Sequence, residues 1–90
     1  MPEKKSRPRA KNLIGAQVRK ARFAHVPQLT QDQLSAKLAA KGVSLDRAGV
    51  AKIENGLRGV SDFELVALAE VLGVEITALL NRQPQIRSQK

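Results

Sequence analysis

Few side chains in this sequence belong to the types that carry out chemistry. The chain has no cysteine, and its only histidine is His25. Its acidic residues are spread over positions expected for helix caps and exposed helix surfaces, whereas general acid-base or nucleophilic catalysis needs such groups in a set. The glycines do not form a phosphate-binding loop either. We therefore expect no enzyme activity, no metal site and no cofactor, and we interpret His25 as a residue at a helix end.

The basic residues are more informative than the acids. Sixteen Lys and Arg against eight Asp and Glu give a formal net charge of +8. Residues 13–60 carry eight of these bases against three acids, whereas residues 61–80 carry four acids and no base. A field divided in this way suits a polyanion on one side and a different partner on the other. Charge alone does not separate this interpretation from two solvated tails on a nearly neutral domain.

The two ends of the chain differ from its middle. Residues 1–12, "MPEKKSRPRAKN", hold five bases and two prolines without apolar periodicity, which predicts a disordered basic arm. Residues 81–90, "NRQPQIRSQK", have the same character and predict a flexible tail. Residues 13–80 are long enough for one small domain. No apolar run approaches the length of a membrane span and no signal peptide is recognisable, so we expect a cytoplasmic protein without membrane contact.

Apolar spacing in residues 13–80 is helical throughout and predicts an all-α domain of five helices. The helix starts are marked by N-capping residues, two of them within capping boxes. These residues are Asn12, Thr30 with Gln33, Asp46, and Ser61 with Glu64. Glycines at 42, 56 and 73 mark helix ends. We expect the inward-facing residues to be Ile14, Val18, Ala21, Leu34, Leu38, Val50, Ile53, Leu65, Leu68, Ala69 and Leu72. Ile76, Leu79 and Leu80 are the apolar residues of the last, short helix, whose exposed side could contact another copy.

The second and third helices form a unit of two short helices joined by a glycine-containing turn. Arg47 and Lys52 lie on a face of the third helix away from Val50 and Ile53. Such a basic ridge could enter a DNA major groove. Helical hairpins serve many folds, so this topology alone leaves the function open.

Three segments in the same order resemble the Xre/Cro-type helix-turn-helix family, to which the DNA-binding domain of the phage lambda repressor belongs. They are Thr30-Gln31 at the start of the second helix, "IENG" at 53–56, and "VALAEVLGV" at 66–74, in the fourth helix and the turn after it. The resemblance covers about residues 14–80 and implies a five-helix lambda repressor-like DNA-binding domain. It departs from the family's phage repressors in the segment "AAKGVSLDRAG", which is several residues longer than their tight turn.

The resemblance also implies roles for individual residues. It identifies the third helix as the recognition helix, and its candidates for reading bases are Arg47, Ala48, Gly49 and Lys52. Among these we favour Arg47, because an arginine can bond a guanine through two hydrogen bonds. Gly49 inside this helix indicates a close approach either to DNA or to the second helix. The candidates for phosphate contacts are Thr30, Gln31, Asn55, Arg58 and Arg22.

One further pair follows from the resemblance. Glu54 stands at the end of a helix, where an acid opposes the helix dipole unless it has a partner. We predict that Arg22 of the first helix is that partner. The pair would fix the recognition helix to its scaffold.

We therefore expect a sequence-specific regulator of transcription that binds double-stranded DNA. It would be a repressor that binds a two-fold operator as a homodimer, with the dimer contact formed by the last helices. One alternative is a protein-interaction module, an antitoxin or adaptor, with secondary or no DNA binding. Another is a general nucleic-acid-binding protein driven by its basic tails. The absence of Trp and Tyr argues against stacking on single-stranded RNA.

Overall fold

A computed structural model describes residues 10–80, and these form five helices and no strand. The helices are α1 (Gly15–Ala24), α2 (Gln31–Ala40), α3 (Arg47–Glu54), α4 (Asp62–Leu72) and α5 (Ile76–Leu79). The predicted all-α fold class is thus confirmed. None of these helices combines the length and the apolar character needed to cross a membrane.

Local capping explains where three of the helices start. The Thr30 hydroxyl accepts from the Gln33 amide while the Gln33 side chain accepts from the Thr30 amide, and Ser61 and Glu64 repeat this arrangement. The Asp46 carboxylate accepts from the Gly49 amide at 2.8 Å. Each such cap contributes about 1 kcal/mol to stability. These three of the four predicted caps are confirmed.

The predicted start of the first helix is wrong. Helix α1 begins at Gly15 with Ile14 as its N-cap residue, so Asn12 does not occupy the N-cap position. The Asn12 side-chain oxygen still accepts from the amides of Ile14 and Gly15, at 2.9 and 2.7 Å. Its side-chain nitrogen bonds distant carbonyls, which holds Asn12 outside the helix.

Three glycines with positive φ end α2, α3 and α4, as the sequence predicts. Gly42, Gly56 and Gly73 have φ of 83°, 73° and 70°. Behind α3, the Gly56 amide donates to the Ile53 carbonyl and the Leu57 amide to the Lys52 carbonyl. This pair of bonds is a Schellman motif and satisfies carbonyls that would otherwise lack partners at the end of the helix.

A single aliphatic core holds the helices together, and α3 packs against both α1 and α2. Burying each leucine, isoleucine or valine contributes about 1.5–3 kcal/mol. Leu79 of α5 is buried, whereas Ile76 of α5 and the following Leu80 remain partly exposed. The buried apolar side chains are Ile14, Val18, Leu29, Leu34, Leu38, Leu45, Val50, Ile53, Ala67, Leu68, Ala69, Leu72 and Leu79.

Residues 10–12 belong to the segment predicted as a disordered arm, and they lie against the end of α3. The Lys11 amide donates to the Gly56 carbonyl at 2.9 Å. The rest of that segment, residues 1–9, and the predicted tail, residues 81–90, lie outside the described residues. The domain boundaries therefore stay predictions.

Candidate nucleic-acid interface

Helix α3 has one buried face and one basic face. Val50 and Ile53 are each 1% exposed, and they anchor the helix in the core. Arg47, Ala48 and Lys52 are exposed. The separation predicted for the two sides of this helix is therefore present, and its outer face carries two positive charges.

Arg47 has one neighbouring acid in the described part of the chain. Its Nη1 atom lies 3.7 Å from the Oδ2 atom of Asp32 in α2, and the two side chains are 68% and 70% exposed. Exposed ion pairs of this kind contribute between about 0 and 1 kcal/mol. The Arg47 guanidinium can therefore leave Asp32 for another acceptor at little cost.

Gly49 is half-buried and close to the turn that precedes α3. A Cβ atom at this position would lie 2.8 Å from the Cδ2 atom of Leu45 and 3.3 Å from the Oδ1 atom of Asp46. The closest neighbour is thus the end of the Leu45 side chain rather than α2. The base contact predicted for Gly49 stays a prediction.

The Glu54 carboxylate lies at the junction of α1, α2 and α3, and its side chain is fully buried. Arg22 donates to it twice, from Nε to Oε2 at 2.7 Å and from Nη2 to Oε1 at 3.0 Å. The third guanidinium nitrogen, Nη1, donates to the Leu29 carbonyl at 3.0 Å. The predicted Arg22–Glu54 pair is confirmed, and its two parallel bonds give it a defined orientation.

Two more donors complete the surroundings of Glu54. Gln31 Nε2 donates to Oε1 at 3.1 Å, and Arg19 Nε lies 3.4 Å from the same oxygen. Burial alone would raise the pKa of Glu54, but the hydrogen bonds and positive charge of Arg22, with Gln31 and Arg19, hold that pKa below its usual value. Glu54 is therefore charged at neutral pH.

Arg19 was missed by the sequence analysis. It lies one helical turn before Arg22, so both residues share a face of α1. Its Nη2 atom donates to the Oδ1 atom of Asn55 at 3.1 Å, and its side chain is 48% exposed. That spacing was a signal for a second basic side chain at the end of α3, and Arg19 is the more accessible of the two.

The residues predicted to contact phosphate fall into two groups. Arg22 and Gln31 donate to the Glu54 carboxylate, Asn55 is joined to it through Arg19, and Thr30 is the capping residue directly before Gln31. Their contacts with phosphate stay predictions. Arg22 is buried, whereas Thr30 and Asn55 are exposed and Gln31 is half-buried.

Arg58 lies apart from this cluster and bonds the start of α4. Its Nη1 and Nη2 atoms donate to the Glu64 carboxylate at 2.9 and 3.0 Å. The same carboxylate accepts from the Ser61 amide at 3.0 Å as part of the capping box. The hydrogen bond from Arg58 lowers the pKa of Glu64. Arg58 thus links the turn after α3 to α4, and its predicted phosphate contact stays a prediction.

The described residues contain no group of three or more His, Asp or Glu side chains arranged to hold a metal ion. The polar side chains around α3 are instead hydrogen-bond donors and positive charges. Such groups bind anionic oxygens and the edges of bases.

Comparisons with known proteins agree with this geometry. A helix-turn-helix family model matches residues 28–79, which contain all of α2, α3 and α4. No curated protein and no solved structure gives a significant match. The matched region covers more than half of the chain and contains the basic face of α3, the capped start of α2 and the buried Glu54. The chain therefore belongs to the Xre-type helix-turn-helix family of DNA-binding transcription regulators.

Proposed function

We propose that this protein is a sequence-specific repressor that binds a two-fold operator as a homodimer. One observation carries the proposal: Arg47 and Lys52 project from the exposed face of an eight-residue helix whose opposite face is buried. A short helix of this kind fits the major groove, where base pairs present distinct patterns of donors and acceptors.

Arg47, Ala48, Gly49 and Lys52 are the residues that we assign to base reading. Arg47 contributes most, because its guanidinium can donate two hydrogen bonds to one guanine. Its weak contact with Asp32 leaves it available for this. Losing such a contact costs about 1–3 kcal/mol in discrimination between bases.

Phosphate contacts fix the position of α3 over the bases. The amides at the N-terminus of α2, next to Thr30 and Gln31, form an anion-binding site of the usual helical type. Asn55 and Arg58 supply donors after α3. Arg22 contributes from the buried side of the site, where it bonds Glu54 at the end of α3. Arg19 joins this group, because it is half-exposed and already bonds Asn55.

A homodimer gives the protein enough contacts for selectivity. One α3 reads only a few base pairs, whereas two copies on half-sites about 34 Å apart read twice as many. The acidic half of the domain is the proposed dimer surface, because it carries exposed apolar side chains. These side chains are Phe63, Val66, Ile76 and Leu80.

Selection of random duplex DNA tests the proposal. The purified protein is used at about 150 mM salt, where loose phosphate contacts are weakened. We expect enrichment of a two-fold motif, and we expect Arg47→Ala to change the bases preferred within it. Arg87→Ala removes the same charge outside the described helices and should leave the motif unchanged. Binding without enrichment would contradict sequence-specific repression.

One observation favours the alternative of a protein-interaction module. Phe63 is 82% exposed, and it lines a groove with Val66, Val43 and Ala67 between α4 and the end of α2. Exposed apolar patches of this kind often contact other proteins. A partner that copurifies at fixed stoichiometry, together with no DNA binding, would favour that alternative. Loss of the partner with Phe63→Ser would locate it at this groove.

A further inference from the structure

The chain segment before α1 is joined to the C-terminal end of α3. The Lys11 amide donates to the Gly56 carbonyl at 2.9 Å. A Cβ atom at Gly56 would lie 3.3 Å from the Cβ atom of Ala10. These contacts bring the entry into α1 directly onto the turn that ends the recognition helix.

Asn12 makes the strongest connection in this segment. Its Nδ2 atom donates to the carbonyls of Ile53 and Arg58, at 3.0 and 2.8 Å. Its Oδ1 atom accepts from the amides of Ile14 and Gly15, at 2.9 and 2.7 Å. A carboxamide has two N–H donors and two acceptor lone pairs, so the hydrogen-bonding capacity of Asn12 is fully used.

The backbones of α1 and α3 are in contact beside Asn12. A Cβ atom at Gly15 would lie 2.3 Å from the Ile53 carbonyl oxygen and 2.8 Å from that of Glu54. No side chain fits at those distances without moving the backbone. The Asn12 carboxamide therefore bridges two helix ends whose separation is already fixed by a glycine.

We propose that Asn12 is a positioning residue for base reading. Its carboxamide holds the C-terminal end of α3, and the turn carrying Arg58, against the start of α1. This sets the direction in which Arg47 and Lys52 meet the bases. The inference rests on the proposed function and adds a residue outside the region that the family model matches.

The length of α3 explains why such an anchor affects specificity. Eight residues span about 12 Å, so a small shift at one end tilts the whole helix. Base contacts require side chains held within about 0.5 Å of their productive geometry. The other end of α3 is held by the Asp46 cap and by the hydrogen bond from the Ser35 hydroxyl to the Leu45 carbonyl. Without Asn12, the end of α3 would keep the buried Arg22–Glu54 pair, but it would lose the two hydrogen bonds that hold the Ile53 and Arg58 carbonyls against the start of α1.

The test compares specific with non-specific DNA affinity in the full chain. Asn12→Ser leaves a hydroxyl that can accept from the amides at the start of α1, but its single O–H donor, on a shorter side chain, cannot replace both bonds to Ile53 and Arg58. It keeps the net charge and removes no buried apolar volume. We expect the ratio of specific to non-specific affinity to fall about tenfold, from the loss of two hydrogen bonds. Non-specific affinity should change less than about threefold, since the phosphate-binding charges remain.

A matched control separates positioning from general destabilisation. Val71→Ala removes apolar volume from α4, and Val71 is half-buried there. We expect it to lower the melting temperature while leaving the affinity ratio unchanged. An equal fall in the ratio for Val71→Ala would overturn the inference, and so would an unchanged ratio in Asn12→Ser. If the wild-type protein prefers no sequence, the proposed function fails and this inference fails with it.

A measurement on the wild-type protein decides the case if Asn12→Ser does not fold. Nuclear magnetic resonance can follow the exchange of the side-chain amide protons of Asn12 and Asn55. Those of Asn12 should exchange more slowly, because both are donated to carbonyls. Equal exchange at the two residues would show that Asn12 does not hold the end of α3, and it would overturn the inference.

Discussion

The Glu54 carboxylate carries a buried negative charge at the C-terminal end of α3. That position opposes the helix dipole, and burial removes the carboxylate from water. Donors from Arg22, Arg19 and Gln31 compensate for both effects. A buried charge is strongly destabilising when its partner is removed, because the remaining charge has no water to solvate it. The sequence showed the unfavourable position, and the structure shows how it is compensated.

Glu54→Gln should therefore destabilise the fold. It leaves the Arg22 guanidinium buried without a negative partner, and we expect the free energy of unfolding to fall by about 3 kcal/mol. Urea denaturation measures this change. Glu70→Gln is the matched control, because Glu70 pairs with Lys41 at 3.3 Å on the surface. The control should change stability by less than about 1 kcal/mol. Equal effects of the two substitutions would show that burial of the Glu54 pair contributes nothing.

The Arg22–Glu54 pair also makes the stability of the fold depend on pH. The pKa of Glu54 is lowered in the folded protein, so its contribution is complete above the ordinary value of 4.5 and is lost as pH falls through the folded pKa. The wild-type protein should therefore be more stable than Glu54→Gln at pH 7, with a difference that shrinks as pH falls below 4.5. Urea denaturation of both proteins from pH 7 to acid measures this difference. A constant difference over that range would contradict the expectation.

Helix boundaries followed from the sequence wherever capping is local. The boxes at Thr30 and Ser61 join residues three apart, so a short window contains the whole interaction. Asn12 was misassigned because its Nδ2 partners, Ile53 and Arg58, are 41 and 46 positions away. Capping preferences consider only residues a few positions apart, so they assign an asparagine to a cap. They cannot include hydrogen-bond partners that come close only in the folded chain.

The candidate site likewise has features that the sequence predicted and features that it did not. Helical periodicity alone was enough to predict the exposed basic face of α3, and the resemblance suggested the Arg22–Glu54 pair. Arg19 could be found only from its place on α1 beside Arg22. Gly15 gave no usable signal, because its role depends on the backbone of α3 lying directly against it. Contacts between elements were thus the part that sequence patterns did not determine.

Gly15→Ala should separate α1 from the end of α3. The added methyl group would meet the Ile53 carbonyl oxygen at 2.3 Å, and a backbone atom cannot yield without moving its helix. We expect a loss of about 1–3 kcal/mol, which is typical of overpacking, despite the higher helix propensity of alanine. Thermal unfolding followed by circular dichroism measures it.

Gly49→Ala is the control within α3. The added methyl group there would meet the end of the Leu45 side chain, which can rotate away. Alanine also gains about 1 kcal/mol of helix propensity over glycine. We therefore expect Gly49→Ala to change stability by less than about 1 kcal/mol in either direction. A larger loss from Gly49→Ala than from Gly15→Ala would refute the close contact between α1 and α3.

Within residues 10–80, charge is less separated in space than along the sequence. Arg58 bonds Glu64, and Lys41 lies 3.3 Å from Glu70, so bases from the first part of the chain pair with acids of α4. The Arg58–Glu64 pair ties the turn after α3 to the start of α4. Arg47 and Lys52 remain on the outer face of α3. These two positive charges lie on the face that we propose reads bases.

The four bases in residues 1–9 could add phosphate contacts, enter the minor groove or contribute nothing to binding, and we test the first of these. Replacing Lys4, Lys5, Arg7 and Arg9 by glutamine in the full chain should preserve the motif selected from random duplexes. The slope of log affinity against log salt should become shallower, by up to about 0.9 for each base that contacts phosphate. Arg47→Ala should instead change the motif, and it should reduce the magnitude of the slope by about 1 at most.

Binding titrations at several salt concentrations, paired with selection, separate three interpretations of DNA binding. A motif that survives arm neutralisation assigns recognition to α3. A motif that changes would mean that the arm reads bases itself, for example through the minor groove. If binding disappears altogether, affinity comes from the arm's charge, and the protein is a general nucleic-acid binder rather than an operator-specific repressor.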